Sequence, residues 1–240
     1  MPVALRDLLL VLLLCAAAAA GAQPVPPYTV PDTLAQRVQA CTICHGKEGR
    51  ATSDGYFPRI AGKPAGYLYN QLVHFRDGRR QNATMTHLVD HLTDDYLREI
   101  AAYFAEIDLP YPSPPAREAP AAQLQRGEAL VRRGDPARKL PACSTCHGER
   151  LTGVQPALPG LLGLPRDYLI AQFGQWVNGK RRAAAPDCMG EIAARLSTED
   201  ISAVATWLSA QPVGDAKPAA TLPAPLPLRC GSIDLPAVVQ

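Results

Sequence analysis

The sequence predicts an all-α protein built from two tandem copies of one helical unit. Two observations carry this. The segment CTICHG at 41–46 returns as CSTCHG at 143–148, and the residues downstream of each also match in register. Apolar residues within each copy recur at helical spacing, and no stretch shows convincing strand alternation.

Ahead of the first copy, Arg6 precedes an apolar run over 8–20, and Ala20, Gly21 and Ala22 form a small-residue cleavage pattern. A charged start, a short apolar stretch and an A-x-A site describe a secretory signal peptide, 1–22, cut after about Ala22. The run is too short to span a bilayer comfortably. Cleavage removes Cys15 and leaves Cys41, Cys44, Cys143, Cys146, Cys188 and Cys230 in a compartment where free thiols tend to be oxidised or otherwise occupied. The expected location is the periplasm.

The first copy is expected over 23–109 and the second over 122–212, with a stiff Pro-rich linker, 110–121, between them. FPRIAGKPAGYLYNQLVHFRDGRR at 57–80 aligns with LPGLLGLPRDYLIAQFGQWVNGKR at 158–181. Pro58, Tyr67, Gln71 and Arg80 match Pro159, Tyr168, Gln172 and Arg181. A three-residue insertion follows in the second copy, after which Met85 matches Met189. Tyr67, Leu68, Gln71, Leu72 and Phe75 share a helix face, and Gly78 supplies a stop. Thr93 and Ser197 read as N-caps of a closing helix in each copy. A short helix is expected before each cysteine pair, near 32–40 and 122–133. The tail, 213–240, is rich in Pro and Ala, lacks periodicity and reads as loosely ordered apart from whatever Cys230 does.

Composition limits the function. With 24 Lys+Arg against 22 Asp+Glu the chain lacks the basic excess of a nucleic-acid binder, so no nucleic-acid partner is expected. Aromatic residues are only 6%, which is thin for two small cores and calls for another source of buried apolar surface.

Cys-x-x-Cys-His is the attachment motif for c-type haem. The two sulfurs lie on one turn, where each can bond a vinyl-derived carbon, and the adjacent His faces the iron. Cys41 and Cys44 with His45, and Cys143 and Cys146 with His147, would therefore carry two covalently bound haem c groups. Zinc is the rival for cysteine pairs, but zinc ribbons place their pairs far closer than the 102 positions found here. Haem also answers the shortage of aromatics, because the porphyrin is a large apolar plate to pack against.

Apart from Met1, each copy has a single methionine, Met85 or Met189, 40 or 42 residues after its motif histidine. A thioether is a soft neutral sixth ligand that raises the reduction potential. His74, His87 and His91 are rivals in the first copy; the second has no histidine besides His147. Cys188 precedes Met189 and is the rival there, as a thiolate ligand. It can instead pair with Cys230, which the oxidising compartment favours. Two six-coordinate irons leave no open position for a substrate, the pattern of an electron carrier.

These residues resemble the tandem class I dihaem cytochromes c of the cytochrome c-four type. The shared marks are CxxCHG, then FPRIAGKPAGYLYNQLVHFRDGRRQNATM, then the closing helix LTDDYLREIAAYFA. The resemblance implies two class I cytochrome c folds related by an approximate twofold, with neighbouring haems. It implies an extracytoplasmic carrier of single electrons between partners of a respiratory or dehydrogenase chain: a dehydrogenase, a cytochrome complex or a terminal oxidase, with room for association with membrane complexes. The alternatives are a catalytic dihaem enzyme, a peroxidase or an oxidoreductase of small sulfur or nitrogen compounds, and the cytochrome subunit of a dehydrogenase complex. The basic runs Arg79-Arg80 and Lys180-Arg181-Arg182 precede the methionines and can steer an acidic partner or simply solvate the surface.

Overall fold

The computed structural model describes residues 31–114, 118–221 and 225–233. The expected signal peptide lies outside the described residues. By its contacts the chain divides into Met1–Gln36 and one compact unit, Arg37–Gln240, which holds both repeats.

Each copy presents the same order of helices. A motif helix (Gln39–His45; Cys143–His147) is followed by a middle helix (Ala65–Arg76; Arg166–Val177). A short methionine helix (Ala83–Val89; Cys188–Ala194) and a closing helix (Asp94–Ala105; Thr198–Ala210) complete it. The leading helix expected before each cysteine pair is present in both copies, four residues long in the first (Leu34–Arg37) and thirteen in the second (Ala121–Arg133), where it crosses the closing helix. Gly127 makes that crossing close: a side chain there would run into the Ala203 carbonyl and Trp207. The closing helices start as their sequences dictate. Thr93 accepts from Tyr96 N at 3.3 Å, and Ser197 and Asp200 form a reciprocal capping box.

The all-α expectation describes nearly the whole molecule. Among the described residues the exception is a two-stranded antiparallel hairpin, β1 (Gly153–Val154) and β2 (Leu158–Pro159). Two residues per strand are too few for a period of two to show in the sequence. The core of the second copy gathers Leu130, Leu151, Phe173, Val204 and Leu208, with Met189 packed against its edge. Leu97, Ile100 and Phe104 of the closing helix are buried in the first copy.

The two copies meet through equivalent residues. Arg80 pairs with Arg181 in an isolated antiparallel bridge, flanked by Gln81 N to Lys180 O (2.9 Å) and Arg182 N to Arg79 O (2.7 Å). Pairing of identical repeat positions is what an approximate twofold requires. Side chains repeat the pattern. Arg80 donates to Gln71 and to Gln172, and Arg181 donates to Gln172 and to Gln71. Arg80 stacks on Phe75 and reaches Tyr168; Arg181 stacks on Trp176 and bonds Tyr67.

This overturns the surface reading of the basic runs. Arg80 and Arg181 are 8% and 7% exposed, because the junction closes over them, while Arg79, Lys180 and Arg182 are not buried. The described part of the tail also differs from its expected looseness. Ala219 bonds across to Gly153 and Gln155, and Arg150 pairs with Asp215 at 2.9 Å. Among the described residues, no helix is long and apolar enough to cross a membrane.

Candidate functional site

Both motif helices place their two cysteines three residues apart, hence on one face, with the histidine at the last helical position. Gly46 and Gly148 then turn the chain away at φ 76° and 84°, a left-handed conformation that favours glycine. A side chain at Gly46 would collide with the Ala51 carbonyl.

The histidines are oriented in the same way. His45 Nδ1 lies 2.8 Å from Pro58 O, and His147 Nδ1 lies 2.8 Å from Pro159 O. Nδ1–H donates to the carbonyl, so Nε2 keeps the lone pair that a metal needs. Burial pushes both imidazoles below the usual histidine pKa, which favours the neutral ligating form. The motif cysteines form no disulfide, and burial raises Cys41, Cys146 and Cys143, the last to about 12. Among the described residues no three His, Cys, Asp or Glu side chains gather as metal ligands, whereas zinc would need four. The donor set therefore fits c-type haem.

Each methionine stands on its own short helix, packed against the middle helix of its copy. Asn82 caps the first, accepting from Met85 N at 3.0 Å; Asp187 caps the second, accepting from Gly190 N at 2.9 Å. His87 and His91 are exposed, and His91 pairs with Asp90 at 2.8 Å. His74 is buried beside the junction arginines, and its pKa falls to about 4, through burial first and then Arg79, Arg181 and Arg80. Cys188 Sγ and Cys230 Sγ are 2.08 Å apart, a disulfide across 42 residues.

Sequence reasoning did not assign the Pro58 and Pro159 carbonyls or the buried arginine–glutamine cluster. The repeat held a signal for the cluster, since Gln71 and Arg80 match Gln172 and Arg181 between copies.

Two motif helices, two carbonyl-oriented histidines and two methionine helices in twofold arrangement define a dihaem c-type cytochrome. No family model matches the chain. A curated relative from Thiomonas intermedia, "Thiosulfate dehydrogenase electron acceptor", is 35% identical over 183 residues, 75% of this chain and 82% of that protein. "Cytochrome c4" of Pseudomonas aeruginosa is 34% identical over 181 residues, 74% of this chain and 87% of its own length. The solved structure of Acidithiobacillus ferrooxidans cytochrome c4 superposes with a TM-score of 0.62 at 29% identity, covering 72% of this chain and 99% of that one. The chain belongs to the cytochrome c4 family: it is a dihaem electron-transfer cytochrome with two covalently bound haem c groups.

Proposed function

We propose that the chain is a periplasmic carrier of single electrons that accepts them from an extracytoplasmic dehydrogenase. The haem iron supplies one-electron oxidation and reduction when bound. In this reading the first repeat occupies 23–109 and the second 122–212, after a cleaved signal peptide. Cys41 and Cys44 anchor one haem and Cys143 and Cys146 the other. His45 and His147 would supply nitrogen ligands, and Met85 and Met189 sulfur ligands, to the two irons.

The observation that carries this reading is the duplication of the histidine device. Both imidazoles have Nδ1 fixed on a proline carbonyl, and each copy has one methionine in register, so neither copy is specialised as an open, substrate-binding centre. The catalytic alternative would need an open or cysteine-ligated second iron. We read Cys188 as the disulfide partner of Cys230, which takes its sulfur out of contention.

Relatives named as acceptors of thiosulfate dehydrogenase make an enzyme of that class the donor to test first. A downstream cytochrome complex or terminal oxidase would then receive the electrons.

Visible and near-infrared spectra of both oxidation states test the ligation. Two low-spin His/Met signatures are expected; a high-spin or thiolate-bound component would overturn the carrier reading. Stopped-flow mixing of the oxidised protein with a thiosulfate dehydrogenase and thiosulfate tests the donor, with reduction of both haems expected.

A further inference from the structure

The two methionine segments are repeats of each other but are held differently. In the first copy five positions separate Arg80 from Met85. Thr86, next to the methionine, donates Oγ1 to Phe75 O on the middle helix at 3.1 Å. In the second copy eight positions separate Arg181 from Met189, and the counterpart of Thr86 is Gly190, which has no side chain to donate. A longer loop and a glycine both raise the entropy lost on ordering the segment. Asp187 offsets part of this by accepting from Ala183 N (2.8 Å) and Gly190 N (2.9 Å), which closes the loop upon itself. It does not tie the loop to the rest of the protein.

The tail does. Cys230 is bonded to Cys188, the residue before Met189, with the two Cα atoms 5.1 Å apart. Gly231 N donates to Pro186 O at 3.0 Å, and a side chain at Gly231 would strike the Ala185 carbonyl. Ser232 O accepts from Asn70 Nδ2 at 2.8 Å, and Asn70 is a buried residue of the first copy's middle helix. The 230–232 turn therefore has three attachments: the distal loop, the cysteine beside Met189, and the other copy.

We propose that the 230–232 turn is a clasp that positions Met189. It replaces the missing Thr86 anchor and holds the thioether of the second copy in place through Cys188. Cys230 is a positioning residue, and the proposal rests on the reading of Met189 as axial ligand. The clasp opens by thiol exchange: a dithiol supplies two electrons and two protons, the Cys188–Cys230 bond becomes two thiols, and the dithiol becomes a cyclic disulfide.

The test is carbon monoxide binding to the fully reduced holoprotein, with the Met–Fe(III) charge-transfer band of the oxidised protein as a second readout. In Cys230→Ser, with both haems attached by mass, one haem per molecule should take up carbon monoxide at least about tenfold faster than in the parent. Half of the Met–Fe(III) band should weaken. Uptake and band equal to those of the parent would overturn the clasp. Met189→Ala separates the two readings. If it leaves uptake unchanged, the ligand assignment has failed; if it opens a haem while Cys230→Ser does not, the clasp alone has failed. Should Cys230→Ser not mature, the folded parent is treated with a dithiol and alkylated, and the same two outcomes are read.

Discussion

Arg80 and Arg181 meet on one atom: Gln172 Oε1 accepts from Arg80 Nη2 at 2.7 Å and from Arg181 Nη1 at 2.6 Å. Two guanidiniums from different repeats thus share a buried amide oxygen. Among the described residues neither forms an ion pair, and Arg80 Nε is buried without a hydrogen-bond partner. Burial lowers the Arg181 pKa, and the neighbouring Arg80 lowers it further. Uncompensated buried charge is costly, so the cluster calls for an anion. A haem carboxylate is an anion of the kind that would compensate such a cluster.

Arg181→Met removes one of these charges while keeping most of the side-chain volume. Loss of a nearby cation favours Fe(III), so the potential of at least one haem should fall. A fall of about 60 mV would correspond to a tenfold change for one electron. Spectroelectrochemical titration measures it. Unchanged potentials with a lowered melting temperature would make the pair a structural device only.

The attachment motifs and the repeat were legible because covalent haem chemistry demands fixed residue types at fixed spacing. Helix starts at Thr93 and Ser197 were legible for the same reason, a side-chain oxygen being needed at each cap. The carbonyls that orient His45 and His147 were not, since a backbone oxygen leaves no mark in residue type. Arg80 and Arg181 were misread because adjacent charges look like solvated surface until a second copy closes over them. The order of the tail's described residues away from Cys230 was not legible, because it comes from a few discrete bonds, at Asp215, Ala219 and Ser232, and not from a periodic apolar face.

His74 should make the protein acid-sensitive. Its pKa is about 4 in the fold, against about 6.5 in an unfolded chain. The unfolded state therefore binds more protons as pH falls from 6.5 toward 4, and stability is lost over that window, by up to about 3 kcal/mol. Gln occupies the matching position in the second copy, Gln175. Urea unfolding of the His74→Gln holoprotein should show a shallower loss between pH 7 and pH 4.5 than the parent. Parallel curves would show that His74 titrates normally.

Asp200 joins three elements of the second copy. Its carboxylate is 2.8 Å from Arg126 and 2.6 Å from Arg138, and it serves as the acceptor of the capping box. Burial pushes its pKa up, but the bonds from Arg138 and Arg126 outweigh this and hold it below the ordinary aspartate value. Its contribution is thus present above the unfolded pKa of about 4 and is lost as pH falls through the lower folded value. Asp200→Asn keeps a capping acceptor and removes the charge. A loss of about 3 kcal/mol at pH 7 is expected, shrinking toward zero in strong acid. A loss that persists unchanged in strong acid would place the effect in packing instead of charge.

Gly66 sets how closely the repeats approach. Its N–H donates to Pro156 O at 3.0 Å, and a Cβ there would stand 2.8 Å from that oxygen and 3.2 Å from Ala157 Cβ. The nearest obstacle is backbone at the turn between β1 and β2, which cannot rotate aside as a flexible side chain could. Gly66→Ala would gain about 1 kcal/mol of helix propensity in the Ala65–Arg76 helix, so it mixes two opposed effects. Gly66→Val adds β-branched bulk, and over-packing of this kind costs about 1–3 kcal/mol. That cost falls on the junction, not on either core. Calorimetry of the holoprotein should show the parent unfolding in one transition and Gly66→Val in two, as the repeats uncouple. A single transition in the variant, at the parent's temperature, would mean that the junction yields there without cost.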